Sequence, residues 1–339
     1  MIRMAGRFAA LAALWLAVAC TPVIVPPADT RTDPVLGDGH FVSFDGTRLP
    51  LRGWLPDGDP AAIILALHGF NDYSNAFDGF GSWAATRGVA VHAYDQRGFG
   101  DAPGRGYWHD DAALTGDAVT ALRLLRTKYP GKPLYLLGMS MGGAIAMLAL
   151  DTTDAADIAD GAILVAPAVW GASTQGWWQR TGLWLFAHTV PYLTPTGRGL
   201  GIHASDNIEM LRALGRDEKV IKRTRIDAVY GVVQMMDRAL AASPRLREPA
   251  LVLYGARDEV IPAGPTKRML DALPGRDGGS QRVAIYPKGC HMLLRDLQAE
   301  VVWRDIVAWI RDRASALPSG AETRVTEIET EPCPWNFDG

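Results

Sequence analysis

Residues 133–150 read PLYLLGMSMGGAIAMLAL, an apolar run broken near its centre by a serine set between glycines. Residues 134–137 are apolar without alternation, the pattern of a strand buried on both faces. Residues 144–150 are good helix formers and mostly apolar, so the helix they predict is also inside. A strand that passes at once into a helix needs a tight bend at Gly138-Met139-Ser140-Met141-Gly142. The residue at the tip takes a strained backbone, and side chains beside it would clash, so glycines flank it. This is the spacing of a nucleophile elbow, G-x-S-x-G. The same residues also suit a Gly-rich turn whose serine only caps the helix. The rest of the chain decides between the two.

Outward from the bend, strands and helices alternate. Residues 41–44 and 51–54, divided by the turn DGT, predict an opening antiparallel hairpin. AAIILALHGF carries a strand at 63–67, a helix surrounds Trp83, and VAVHAYD supplies the next strand. Residues 112–129 have helical spacing at Leu114, Ala118, Leu122 and Leu125. Beyond the bend follow the strands AILVAP and ALVLYG, a helix around Met269, the strand RVAIYP, and a last helix near Trp303 and Ile310. Such alternation predicts an α/β fold, a mostly parallel central sheet with helices on both faces. Active residues in such a sheet collect at the carboxyl ends of strands. An interval at about 169–247 breaks the alternation with Trp170, Trp177, Trp178, Trp184, Leu185 and Phe186, then a charged helical stretch. It predicts a helical cap insertion, and its tryptophans suit either the core of that subdomain or a working apolar face.

A serine hydroxyl is a weak nucleophile at neutral pH and needs a base, with an acid to orient that base. On this topology the order is serine, acid, histidine. LVLYGARDEVIP places Asp258 just past one strand, and RVAIYPKGCHML places His291 just past the next. Singly, Asp258 could cap a helix and His291 could be an ordinary loop residue. Their arrival in order, each at a strand's carboxyl end, is the specific signal. Glu259 is the competing acid, less well placed; His92, His188 and His203 are poorer bases by position. A tetrahedral intermediate needs two aimed N–H donors. Met141 supplies one, and Phe70 of LHGF is the candidate for the other, with His68 and Gly69 shaping its loop.

Length and composition fit this plan. At 339 residues and 48% hydrophobic content, the chain can build one large domain plus an insertion. A net charge of −3 leaves no basic footprint for nucleic acid. No His or Cys cluster has metal-ligand spacing, and no cofactor is called for. The N-terminus reads as a targeting segment, with Arg3 and Arg7 before an apolar stretch at 8–19 too short for a comfortable span. It ends LAVAC, which resembles a bacterial lipobox with Cys20 as the lipidated first residue of the mature chain; Ala17 stands where leucine is usual. Cleavage nearby as an ordinary signal peptide is the alternative. Thr21 after the cysteine favours the outer membrane facing the periplasm. TPVIVPPADTRTDP then reads as a Pro-rich tether lifting the domain off the bilayer. Cys290 and Cys333 remain, as a disulfide or as two thiols.

LHGFNDYSNAF, VAVHAYDQRGFGDAPG, LYLLGMSMGGAIAM, YGARDEVIP and GCHMLL together resemble the monoacylglycerol lipase and lysophospholipase group of the α/β-hydrolase superfamily, also labelled serine aminopeptidase S33 or Hydrolase_4. The likeness spans about 41–313. It implies Ser140 as nucleophile, Asp258 as acid, His291 as base, Phe70 with Met141 as oxyanion hole, and Asp95 and Arg97 as braces of the fold. After HG the group often carries a Gly-Glu-His-like run, whereas Phe70-Asn71-Asp72-Tyr73 stands here, so head-group recognition differs. The expected organisation is a leader at 1–19, a tether at 20–39, the hydrolase domain at 40–314 with its cap, and a polar tail at 315–339. The expected activity is ester hydrolysis of single-acyl lipids, with Trp177, Trp178 and Trp184 lining an acyl pocket or touching membrane. A short-chain esterase or thioesterase is the nearest alternative, and a surface-anchored binding protein on the same scaffold the non-enzymatic one. A peptidase would need a carboxylate cluster for a free amine; Glu209, Asp217 and Glu218 are available, unmarked by any motif.

Overall fold

The computed structural model describes residues 21–152, 158–197, 199–323, 328 and 330–334. The expected hairpin is β3 (His40–Val42) against β4 (Arg48–Trp54), with Phe41 opposite Leu49; β2 (Val35–Leu36) pairs outside it. β4 runs antiparallel to β6 (Val89–Tyr94), and from there the sheet is parallel. β6 is followed across the sheet by β5 (Ala62–Leu67), β8 (Leu134–Met139), β9 (Gly161–Val165), β10 (Ala250–Gly255) and β11 (Gln281–Tyr286). A separate parallel pair joins β1 (Ile24–Val25) to β7 (Trp108–His109).

Period-2 geometry divides the core into two layers. On one face Ile63, Leu65, Leu136, Leu164 and Val252 meet α2 (Asp111–Lys128), α3 (Met141–Leu150) and α7 (Ala263–Ala272) through Leu122, Ile145 and Met269. On the other, Ile64, Val91, Leu137, Ile163 and Leu251 meet α1 (Asp78–Ala85) and α8 (Ala299–Arg311) through Phe80, Ile306 and Trp309. Every residue of β5, β6, β8, β9 and β10 is buried, which is why these strands read as unbroken apolar runs.

The insertion is helical as expected: α4 (Trp177–Thr189), α5 (Ile208–Arg216) and α6 (Ile226–Ala242). Only α6 joins the main core, through Val232, Met235 and Ala239. The tryptophans of α4 are not packed as subdomain core, whereas Trp170 packs partly buried against the main core. Trp177, Trp178 and Trp184 are 74%, 65% and 51% exposed, and Ala187 is the one buried residue of α4.

Both ends of the described chain are held against the domain, the tail by the disulfide that is one of the two alternatives for Cys290 and Cys333. Within the Pro-rich stretch expected as a tether, residues 21–36 lie along the domain. Val23 N–H donates to Asp227, Ala28 N–H to Asp45, and Thr32 N–H to the Phe44 carbonyl, which binds the segment along the domain. The polar tail is likewise tied down. Glu322 bridges antiparallel to Ala284 on β11, and Cys333 forms a disulfide with Cys290. Cys20 and the leader lie outside the described residues.

Candidate active site

Three glycines make room for the bend. Ser140 has φ 53° and ψ −118°, a conformation costly for a residue with a side chain. A Cβ on Gly138 would lie 2.3 Å from the Gly142 carbonyl oxygen, and one on Gly143 2.9 Å from the Pro167 Cα. The capping alternative is excluded, because the Ser140 side chain makes no cap hydrogen bond to α3. Its hydroxyl donates instead to Nε2 of His291 at 2.9 Å.

That bond continues without a break. His291 Nδ1–H donates to Oδ2 of Asp258 at 2.8 Å, and the other carboxylate oxygen accepts the Val260 and Ile261 N–H groups at 2.8 and 2.9 Å. With Asp258 held on both oxygens, Nδ1 carries the proton and Nε2 is left as acceptor. Ser140, Asp258 and His291 are all buried. Glu259 points elsewhere, accepting the His203 and Cys333 N–H groups. The loops bearing Asp258 and His291 touch: Arg257 N–H donates to the Gly289 carbonyl at 2.9 Å, and Gly255 packs against Cys290.

The loop after β5 closes over the serine. A Cβ on Gly69, the residue before Phe70, would stand 3.4 Å from the Cβ of Ser140 and 3.9 Å from its Oγ. Among the described residues neither the Phe70 nor the Met141 N–H has a hydrogen-bond partner. His68 is locked beneath them, Nδ1–H donating to the Gly69 carbonyl and Nε2 accepting the Gln96 N–H, and burial pushes its pKa down. A ring with both nitrogens engaged is a brace. The Phe70 ring stacks edge-on with Phe99 and Trp108.

Arg97 and Asp95 fix the surrounding loops through separate partners. Arg97 is clamped by Asp45 and Asp117 at 2.6 to 2.8 Å. Burial pushes both carboxyls up, yet hydrogen bonds from Arg97, Ala28 and Thr47 hold Asp45 well below the usual range, while Asp117 stays raised. Asp95 accepts the Ser74 and Asp101 N–H groups.

Several contacts of this site had no local signal in the sequence. Asn71 sits at φ 65°, its side chain donating to Thr224 of the cap at 2.7 Å and its carbonyl accepting the Ile221 N–H. Tyr73 donates to Asp217 at 2.7 Å, and Arg295 pairs with Asp72. Each partner lies more than a hundred residues away.

With this geometry in place, the chain matches the family described as serine aminopeptidase S33, Hydrolase_4, over residues 58–298. The chain belongs to that family. The Hydrolase_4 segment takes in the elbow, the cap and both loops of the acid and base. It excludes β1–β4, α8 and the disulfide-bonded tail. The monoacylglycerol lipase of Mycolicibacterium smegmatis is 25% identical over 80% of this chain and 95% of its own length. Human monoglyceride lipase is 25% identical over 81% of this chain and 91% of its own. Among solved structures, the Saccharomyces cerevisiae monoglyceride lipase bound to a substrate analog superposes with a TM-score of 0.68 at 18% identity, over 86% of this chain and 100% of that one. The Paleococcus ferrophilus monoacylglycerol lipase does so at 0.62 and 20% identity, over 77% and 98%. These likenesses show the α/β-hydrolase fold.

Proposed function

We propose that this Hydrolase_4 protein is a serine carboxylester hydrolase that cleaves single-acyl lipids, monoacylglycerols foremost, through an acyl-enzyme. The observation that carries the reading is the hydrogen-bonded line from Asp258 through His291 to Ser140, with the N–H groups of Phe70 and Met141 unengaged among the described residues. The relatives named monoacylglycerol lipase, matched over nearly their whole length, support the substrate class.

Ser140 Oγ attacks the ester carbonyl carbon as its proton passes to His291 Nε2, and the Asp258 carboxylate stabilises the imidazolium. The carbonyl oxygen becomes an oxyanion facing the Phe70 and Met141 N–H groups, where losing one donor costs about 3 kcal/mol. His291 returns the proton to the leaving alcohol oxygen, and the C–O bond breaks. A water molecule then gives its proton to His291 and attacks the acyl carbon. Collapse of the second intermediate frees the fatty acid and restores the Ser140 hydroxyl. Each additional buried CH₂ contributes about 0.8 kcal/mol, so an apolar acyl site favours long chains.

We also infer export, with a lipid on Cys20 and the domain at the periplasmic face of the outer membrane. Support comes from the leader composition, the disulfide, which suits an oxidising compartment, and the exposed aromatic face of α4. Mass spectrometry of the N-terminal peptide tests this: an unmodified Cys20 refutes the lipid anchor, and an uncleaved leader refutes export.

The decisive assay is fatty-acid release from a long-chain monoacylglycerol, the matched lysophosphatidylcholine and a short-chain ester, with Ser140→Ala as control. Monoacylglycerol turnover abolished in Ser140→Ala supports the reading. Turnover of the short ester alone overturns the lipase assignment and leaves an esterase. Absence of fluorophosphonate labelling on Ser140 rejects the enzyme altogether.

A further inference from the structure

The acid and the base of this site stand on two loops, and a third piece of chain grips both from behind. Cys333 is bonded to Cys290, the residue immediately before His291. The N–H of that same Cys333 donates to Oε1 of Glu259 at 2.9 Å, the residue immediately after Asp258. Two residues upstream, Glu331 pairs with Arg257, immediately before Asp258, at 2.8 Å. Residues 331–333 therefore bind the neighbours of Asp258 on both sides and the neighbour of His291 on one. Cys290 and Cys333 are buried, so the staple is internal.

The staple complements what the loops do for each other. Gly255 and Gly289 allow the two backbones to meet, and Arg257 N–H reaches the Gly289 carbonyl. Cys290 N–H is held in turn by Asp296 at 2.8 Å. These contacts limit how the loops approach one another. The tail adds a covalent bond on the histidine side and a hydrogen bond on the acid side, both from one residue. All three tail residues fall outside the stretch matched to Hydrolase_4.

We propose that Glu331 and Cys333 are positioning residues for catalysis, holding the His291–Asp258 pair in register with Ser140. This rests on the proposed serine-hydrolase reading. The covalent half acts on the imidazole through the Cys290 backbone, and the polar half on the carboxylate through Glu259 and Arg257. Without the staple the Nδ1–carboxylate bond loosens. The imidazolium that forms when His291 takes the serine proton then loses part of its stabilisation.

The test compares the full mature chain with Cys333→Ser and with the Cys290→Ser/Cys333→Ser pair on a soluble ester. Rates are taken per Ser140 titrated by a fluorophosphonate, so that unfolded molecules drop out. A displacement well under 1 Å suffices for about a tenfold fall in kcat. That fall is the expected result, with KM unchanged and the acidic limb of the pH–rate profile moved to lower pH, since a less stabilised imidazolium loses its proton more readily. Glu259→Ala lowers kcat in the same sense, and Glu259→Gln, which keeps an acceptor for Cys333 N–H, restores most of it. Equal kcat and an unmoved limb in variants whose lost disulfide is verified by mass would overturn the proposal. Failure of the wild type to be labelled would instead strike the serine-hydrolase reading itself.

Discussion

A Cβ on Gly142 would lie 2.0 Å from the carbonyl oxygen of Leu67, so the first turn of α3 and the end of β5 meet with no room for a methyl group. The same contact brings the loop after β5 over Ser140. Gly142→Ala must push that loop away, at a cost of about 3 kcal/mol. Gly182, in α4, has nothing within 4 Å of its Cβ position. Gly182→Ala is expected to gain about 0.5–1 kcal/mol instead. Thermal unfolding of both variants, with serine labelling, checks the contrast.

Each member of the hydrogen-bonded line has a distinct expected loss. Ser140→Ala and His291→Gln should lower kcat by at least about 10⁴-fold with folding intact. Asp258→Asn should cost about 10⁴-fold as well, because an amide no longer holds the Nδ1 proton in place. The double variant Asp258→Asn/His291→Gln should be no worse than His291→Gln alone, since the residues act as a unit.

Asn71 joins the oxyanion loop to the cap. Asn71→Gly keeps a residue suited to φ 65° but removes the bond to Thr224. Relief of backbone strain and loss of one hydrogen bond nearly cancel, so stability should change by less than about 1 kcal/mol. The preceding N–H, that of Phe70, loses a fixed reference, and kcat should fall several-fold. Thr224→Val should give the same fall, and the pair should not add. Additive losses would show that the two residues act separately.

Acid sensitivity has a named source. Burial pushes the pKa of His92 and of His109 down to about 4, with the charges of Lys128 and Arg97 acting in the same direction. An unfolded chain takes up these protons from about pH 6.5 downward, the folded one only near pH 4, so stability falls as pH drops through that window. Asp296 opposes the trend, since burial raises its carboxyl to about 6 and the folded state keeps a proton that the unfolded chain has lost. Urea unfolding of His92→Gln/His109→Gln should show a fall between pH 7 and 4.5 that is smaller by about 2 kcal/mol for each histidine removed, about 4–5 kcal/mol for the pair. Asp296→Asn should steepen the fall.

Trp177 and Trp178 test the outward face of α4. Being exposed, they can be changed to Ser within about 0.5 kcal/mol of stability. Turnover of monoacylglycerol presented in vesicles should drop, while turnover of a dissolved short ester stays level. Equal loss on both would place the tryptophans at the acyl site.

The elbow, the alternation of strands and helices along the chain, the helical cap and the succession Ser140, Asp258, His291 were all legible from residues 41–313. Each is written in near-neighbour terms: apolar runs for doubly covered strands, glycines where backbone meets backbone, functional residues just past strand ends. The Asp45–Arg97–Asp117 clamp, the Asn71–Thr224 bond and the Cys290–Cys333 choice were not, because their partners stand 20 to 153 residues apart and no local pattern names the other half. Residues 20–39 read as a Pro-rich tether on composition, and the sequence does not show that the N–H groups of Val23 and Ala28 find buried carboxylates once the domain has formed. The tryptophans of α4 show the same limit from the other side. Hydrophobicity in a sequence states that a side chain favours leaving water, and only the packed fold determines whether the chain's own core has a place for it.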